Sequence, residues 1–334
     1  MLRLDDGPIE VRLLTPGANW LKTGSMMALG LSGYFSPLPE GSTVSVHTGH
    51  TGRMCLEGLG LVDAGKYHFG ITTPPWLLRC AAEGRGAFGF GEKPLRLKSV
   101  GAFPHNDQLA FAVRSDLGIK SLRQLKEQKV PLRISTAPTH LGHPTGWVLD
   151  AVLAEYGRQI EDFEKWGGAV IYNDRQPNFM EKVPKGNPDR VTAMKAGEMN
   201  AVFDEAIMTP AWKEIADNVD LTFLPVDRDV LEAVERMYGM RSTVIPKGRL
   251  RGVNQDIPTI DFAQWIIYCR EDLPDRLVYL MMEGIEQQRQ QIESLFRPGQ
   301  GLTSEIKLSE MCKGLELPMH PGAEQFYRER GYLS

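Results

Sequence analysis

Residues 43–71 read TVSVHTGHTGRMCLEGLGLVDAGKYHFGI, and this stretch decides the fold. Thr43–His47 is a short β-rich run. Gly52–Ala64 then places Leu56, Leu59 and Val62 on one helical face, the spacing of an amphipathic helix. Phe69–Thr72 is a second short apolar run. Strand, helix and strand joined by brief connections build a parallel sheet with a crossover helix.

Working outward, the same alternation continues. Upstream, Ile9–Leu14 reads as a strand and Gly24–Phe35 as a helix with Ser25 near its start. Downstream, a helix opens at Pro74, where proline is welcome, and Leu97–Phe103 and Leu109–Val113 are further strands. A second unit begins near His105. It holds strands at Leu132–Ser135, Ala169–Tyr172, Ala201–Phe203, Leu221–Leu224 and Ser242–Ile245. Helices are expected at Thr145–Tyr156, ended by Gly157, and at Asp189–Ala196. Ala263–Tyr268 reads as an extended run and Pro274–Phe296 as a long helix. Asn173–Asn187 clusters Asn, Asp, Gly and Pro as a polar loop. No internal repeat is visible.

Composition narrows the function classes. The 334 residues suffice for two α/β domains with their own cores. A formal charge of -4 gives no concentrated basic face for nucleic acid. No run of about 18 apolar residues exists, so no segment is expected to insert in a membrane. The start, Met1-Leu2-Arg3-Leu4-Asp5-Asp6, lacks the apolar core of an export signal. The expectation is a cytoplasmic protein if the chain is complete, or a periplasmic one if a signal was removed. Cys55, Cys80, Cys269 and Cys312 lie far apart and read as free, buried thiols.

Ligands of open parallel sheets sit beyond the carboxyl ends of the strands, where helix N-termini favour anions. Four loops at such places are rich in Gly, Ser, Thr and Trp: 15–25, 47–53, 72–76 and 135–147. They nominate Ser25, Thr48, Thr51, Thr139 and Thr145 as carboxylate-holding hydroxyls, with Arg53 or Arg175 balancing the charge. Trp20, Trp76 and Trp147 are candidates for flat apolar walls, core packing being the alternative for each alone. His47, His50, His105, His140 and His143 fall in the same loops, and Asp204-Glu205 ends a strand. His50 and His143 with Glu205 are the set an enzyme would use, as proton donors or metal ligands. As a receptor site, the same histidines bind an anion and Glu205 reads an amine or pairs with an arginine.

The order of motifs resembles the TAXI-type solute receptors of TRAP transporters. The resemblance rests on Thr48-Gly49-His50-Thr51, on Ala64-Gly65-Lys66-Tyr67-His68-Phe69-Gly70-Ile71, on Phe111 to Leu122, and on Gly142-His143-Pro144-Thr145. It continues through Leu224 to Asp227, Ile245 to Gly248, Gln255 to Thr259 and Arg270 to Pro274, covering about residues 9–295. It implies a two-lobed α/β fold of the type II periplasmic-binding-protein class with a ligand cleft between the lobes. One lobe would comprise 1–106 plus 263–334 and the other 107–262. It further implies a solute-binding protein that closes on a small carboxylate or amino-acid-like molecule, with a membrane permease as partner and no cofactor. The sequence departs from the family in His50 and His143, in the acids after Phe203, and in the missing export signal. These departures keep a second reading open: a cytoplasmic decarboxylase- or lyase-like enzyme on the same fold, which admits a metal ion. Walker, dinucleotide, zincin and nucleophile-elbow motifs are absent from the sequence.

Overall fold

In the computed structural model, residues 4, 7–17, 19–33, 37–49, 51–85, 94–137, 142–172, 190–206, 210–296, 302 and 304–334 are described. The chain divides into two compact units, Met1–Asn106 with Ala263–Ser334, and Asp107–Phe262.

The first unit opens with β1 (Glu10–Pro16), α1 (Asn19–Ser32), β2 (Thr43–Gly49), α2 (Thr51–Asp63), β3 (Phe69–Thr72), α3 (Trp76–Ala82) and β4 (Leu97–Phe103). The second holds β5 (Leu109–Arg114), α4 (Leu122–Gln128), β6 (Arg133–Thr136), α5 (Pro144–Glu155), α6 (Asp162–Lys165) and β7 (Ala169–Tyr172). It continues with α7 (Arg190–Ala196), β8 (Ala201–Glu205), α8 (Pro210–Asn218), β9 (Leu221–Phe223), α9 (Arg228–Tyr238), β10 (Ser242–Ile245) and β11 (Ile257–Ile260). The chain then returns to the first unit with β12 (Trp265–Arg270), α10 (Asp275–Ser294), α11 (Leu308–Met311) and α12 (Pro321–Glu329).

The first sheet runs β2-β1-β3-β12-β4 and the second β7-β6-β8-β5-β9. These are one topology used twice. In each unit the first strand entered after a crossing, β5 or β12, lies between the third and last strands and runs antiparallel to both neighbours. The sheets are therefore mixed, which corrects the expectation of purely parallel ones. The interior strands are continuously apolar because both faces are covered: β3 is FGIT, and β12 is WIIYCR with all but its last residue buried. The edge strand β2 has no fully buried residue. Ser242–Ile245 is a strand, but it pairs with β11 in a separate two-stranded sheet.

Helix α1 begins five residues before the expected Gly24. Gly24 is a helix-interior residue chosen for closeness: a Cβ there would lie 2.5 Å from the Thr15 side chain of β1. Across its other face α1 meets α10 where Gly30 faces Gly284 backbone to backbone. Proline opens α5 and α12 at the first helical turn, and Gly157 at φ +66° follows the end of α5.

Candidate functional site

The second unit gathers polar side chains at the end of its sheet where β6 and β8 finish and β5 begins. Strand alternation assigns them to two faces. Ser135 pairs in register with Val202, and Asp204 lies two residues further along that face. Arg190, the first residue of α7, joins them. Its Nε donates to Ser135 Oγ at 3.0 Å and its Nη1 to Asp204 Oδ2 at 2.6 Å. Ser135 is fully buried and Arg190 is 9% exposed, so the pair is held in a low-dielectric setting where the geometry must be good. Thr136 follows on β6, and Thr145 sits in the first turn of α5; both are fully enclosed.

Among the described residues, Arg190 Nη2, Thr136 Oγ1 and Thr145 Oγ1 are buried here without a hydrogen bond. A buried donor left unsatisfied costs about 1–3 kcal/mol. The first unit treats its strand ends differently. Thr72 Oγ1 donates to the Cys55 carbonyl at 2.7 Å, and Thr73 Oγ1 donates to the Gln264 carbonyl at 3.1 Å. Thr15 Oγ1 donates to the His47 carbonyl at 3.5 Å.

Acidic groups complete the second unit's edge. Asp107, just before β5, has no exposed surface. Burial drives its carboxyl well above the usual aspartate range, and the charge of Asp204 pushes the same way. The Gln108 N–H, the Arg249 charge and a hydrogen bond with Glu205 pull in the opposite direction. Asp204 accepts the Glu205 N–H at 2.9 Å through Oδ1, so both its oxygens are engaged.

The sequence-chosen residues divide as follows. Thr145 and Glu205 belong to this polar edge. His143 is the N-cap of α5, its Nδ1 accepting the Thr145 N–H at 3.2 Å; that is capping chemistry. Trp147 is buried with its ring 5.6 Å from that of Tyr238. In the first unit, Thr48 lies exposed near the end of β2, in register with Thr15 of β1. Trp76 has no exposed surface, and Trp20 packs half-buried on Trp265 at 5.4 Å. Ser25 is not at a helix start as expected: α1 begins earlier, and the Ser25 hydroxyl donates back to the Leu21 carbonyl at 2.8 Å. Arg53 is exposed on α2 and paired with Glu57 one turn on. His47 contacts Ser45 Oγ at 3.0 Å, and His105 stacks near Trp265 at 4.8 Å. His50, Thr139, His140 and Arg175, and the Thr51 side chain, lie outside the described residues. Among the described residues, no group of three His, Cys, Asp or Glu side chains could hold a metal, and no helix is long and apolar enough to cross a membrane.

Arg190, Ser135, Thr136 and Asp107 were not singled out from sequence. Arg190 opens a short helix, and only its reach back to β6 marks it; the stretch Asn173–Asn187, expected as a polar loop, lies outside the described residues.

Two α/β units with one strand order used twice, joined by two chain crossings, define a two-lobed fold of the type II periplasmic-binding-protein class. The chain belongs to the NMT1-like family, which matches residues 55–331. Solved structures similar to it include the following three. A TctC solute binding protein from Polaromonas is 15% identical, with a TM-score of 0.47 over 97% of this chain and 99% of that one. The periplasmic binding protein BugD is 11% identical, with a TM-score of 0.46 over 97% and 94%. A putative sulfonate-binding SsuA from Methylobacillus flagellatus KT is 11% identical, with a TM-score of 0.45 over 97% and 95%.

Proposed function

We propose that this protein is a solute-binding receptor that holds a small anionic organic molecule, a carboxylate or amino-acid-like compound, and presents it to a membrane permease. One observation carries the reading: the second unit ends its sheet with the enclosed side chains of Ser135, Thr136, Thr145 and Arg190, and three of their donor atoms are uncommitted among the described residues. In α/β sheets this is the edge where ligands are received. A few polar groups set at one strand end in an otherwise apolar frame suit a small, specific solute. The receptor motifs named in the sequence, including the narrower TAXI likeness, support the same class. His143 Nδ1 caps α5, a structural task for one of the two histidines that the enzyme reading nominated, while His50 lies outside the described residues.

Native mass spectrometry of the purified protein tests the proposal. The expected result is a retained organic acid that is released unchanged and rebinds with a shift in tryptophan emission. Conversion of the released compound during incubation refutes the receptor reading.

A further inference from the structure

We infer that Arg190 is the charge anchor of the ligand site, binding one carboxylate group of the solute through Nη2, with the Thr136 and Thr145 hydroxyls as further donors from the same strand end. This rests on the receptor reading and names the group that selects its substrate class. Arg53 and Arg175 were the sequence's candidates for that role, and Arg53 is committed to Glu57 at the surface.

The argument follows from how the guanidinium is held. Nε is fixed by Ser135 and Nη1 by Asp204. Two of the three nitrogens are thus spent on orientation, and the plane of the fork is set. The remaining nitrogen is buried, bears two N–H groups and donates to nothing among the described residues. An unpaired buried donor is costly, and in Arg190 it is a whole terminal nitrogen with two N–H groups, where Arg12 and Arg158 leave only the single N–H of Nε. Lysine would give a mobile point charge instead of a fixed pair of donors. Asp204 acts as a positioning residue: it holds Arg190, and its second oxygen is tied to the Glu205 N–H. Thr136 and Thr145 add uncommitted hydroxyls at the same strand end, one closing β6 and the other opening the helix that follows it. Donors of this kind, with no cation-seeking group left over from the Arg190–Asp204 pair, recognise a carboxylate rather than a neutral solute.

The test uses three matched acid and amide pairs: succinate with succinamide, glutarate with glutaramide, and benzoate with benzamide. D-glucose serves as a neutral control. Affinities are measured by calorimetry on the full chain. Wild type is expected to bind at least one acid and to bind its amide about tenfold or more weakly. Arg190→Lys is expected to lose about tenfold. The double variant Arg190→Gln/Asp204→Asn removes both charges together, so neither partner is left as an unpaired buried ion. It is expected to lose about 10–100-fold while keeping its melting temperature within a few degrees. Thr136→Val and Thr145→Val should each weaken binding less than the arginine variants do. Equal affinity for acid and amide in wild type overturns the inference, as does acid binding by the double variant within twofold of wild type. Binding of glucose alone would keep a receptor and remove its carboxylate anchor. Silence toward all three acids at millimolar concentration removes the carboxylate class from the functional reading itself.

Discussion

Replacing Gly30 with alanine should destabilise the protein, although alanine is the better helix former. Gly30 lies on α1 where it crosses α10. A Cβ at this position would stand 2.6 Å from the Gly284 Cα and 2.6 Å from its carbonyl oxygen. That is about 0.8 Å inside ordinary contact at 3.4 Å. The obstructing atoms are backbone, so no rotamer change relieves them and the two helices must separate. Overpacking of this kind costs about 1–3 kcal/mol. The intrinsic gain of Gly→Ala inside a helix is about 1 kcal/mol. The balance is a loss of up to about 2 kcal/mol, or a fall of up to several degrees in Tm at about 2–4 °C per kcal/mol. Gly60 supplies the control. It is exposed on α2 with nothing within 4 Å of a Cβ, so Gly60→Ala should stabilise by about 0.5–1 kcal/mol. Urea and thermal unfolding, followed by circular dichroism, compare the two variants in one background. Gly30→Ala raising Tm alongside Gly60→Ala would refute the reasoning, since the crossing would then have room to spare.

Three further outcomes follow from the second unit. Asp107 holds its proton more tightly when folded than when unfolded. Its contribution is therefore flat below the unfolded pKa of about 3.9 and turns unfavourable as pH rises through the range up to the folded value. Asp107→Asn should remove that decline, seen as a flatter urea midpoint between acid and neutral pH, because Asn keeps an acceptor for the Gln108 N–H now bound at 2.8 Å. Tyr156→Phe deletes a hydroxyl that donates to Asp227 Oδ2 at 2.8 Å and accepts the Asp227 N–H at 2.9 Å. It should cost about 1–2 kcal/mol in denaturant unfolding by leaving that N–H without its acceptor. His143→Ala should lower stability by about 0.5–1 kcal/mol through loss of the α5 cap, and His143→Asn should restore most of it; an imidazole-specific effect on the unfolding midpoint would contradict the capping role.

Much of the architecture was legible in the chain because it rests on local pattern. Short apolar runs such as Phe69–Thr72 and 109–113 can only be strands covered on both faces. The periodic face of residues 52–64 marked α2 within a residue or two. Helix α9 escaped notice because its buried face is only Val230, Leu231 and Val234 among charged residues. Start and stop signals also misled where a residue served packing: Gly24 looks like a helix boundary and is instead a contact with Thr15.

The site divides along the same line. Thr145 and Glu205 could be nominated because they end or begin elements, and element ends are visible in sequence. Which arginine pairs with Asp204 was not visible, because charge pairing depends on distances that tertiary packing sets. Arg190 meets Ser135 from 55 positions away and leaves one nitrogen uncommitted. The repeated strand order was equally hidden, since two stretches with no common sequence reach it by placing β5 and β12 alike. Hydrophobic periodicity determines which segments are strands and helices; only tertiary packing decides which buried donors find partners within the chain and which do not.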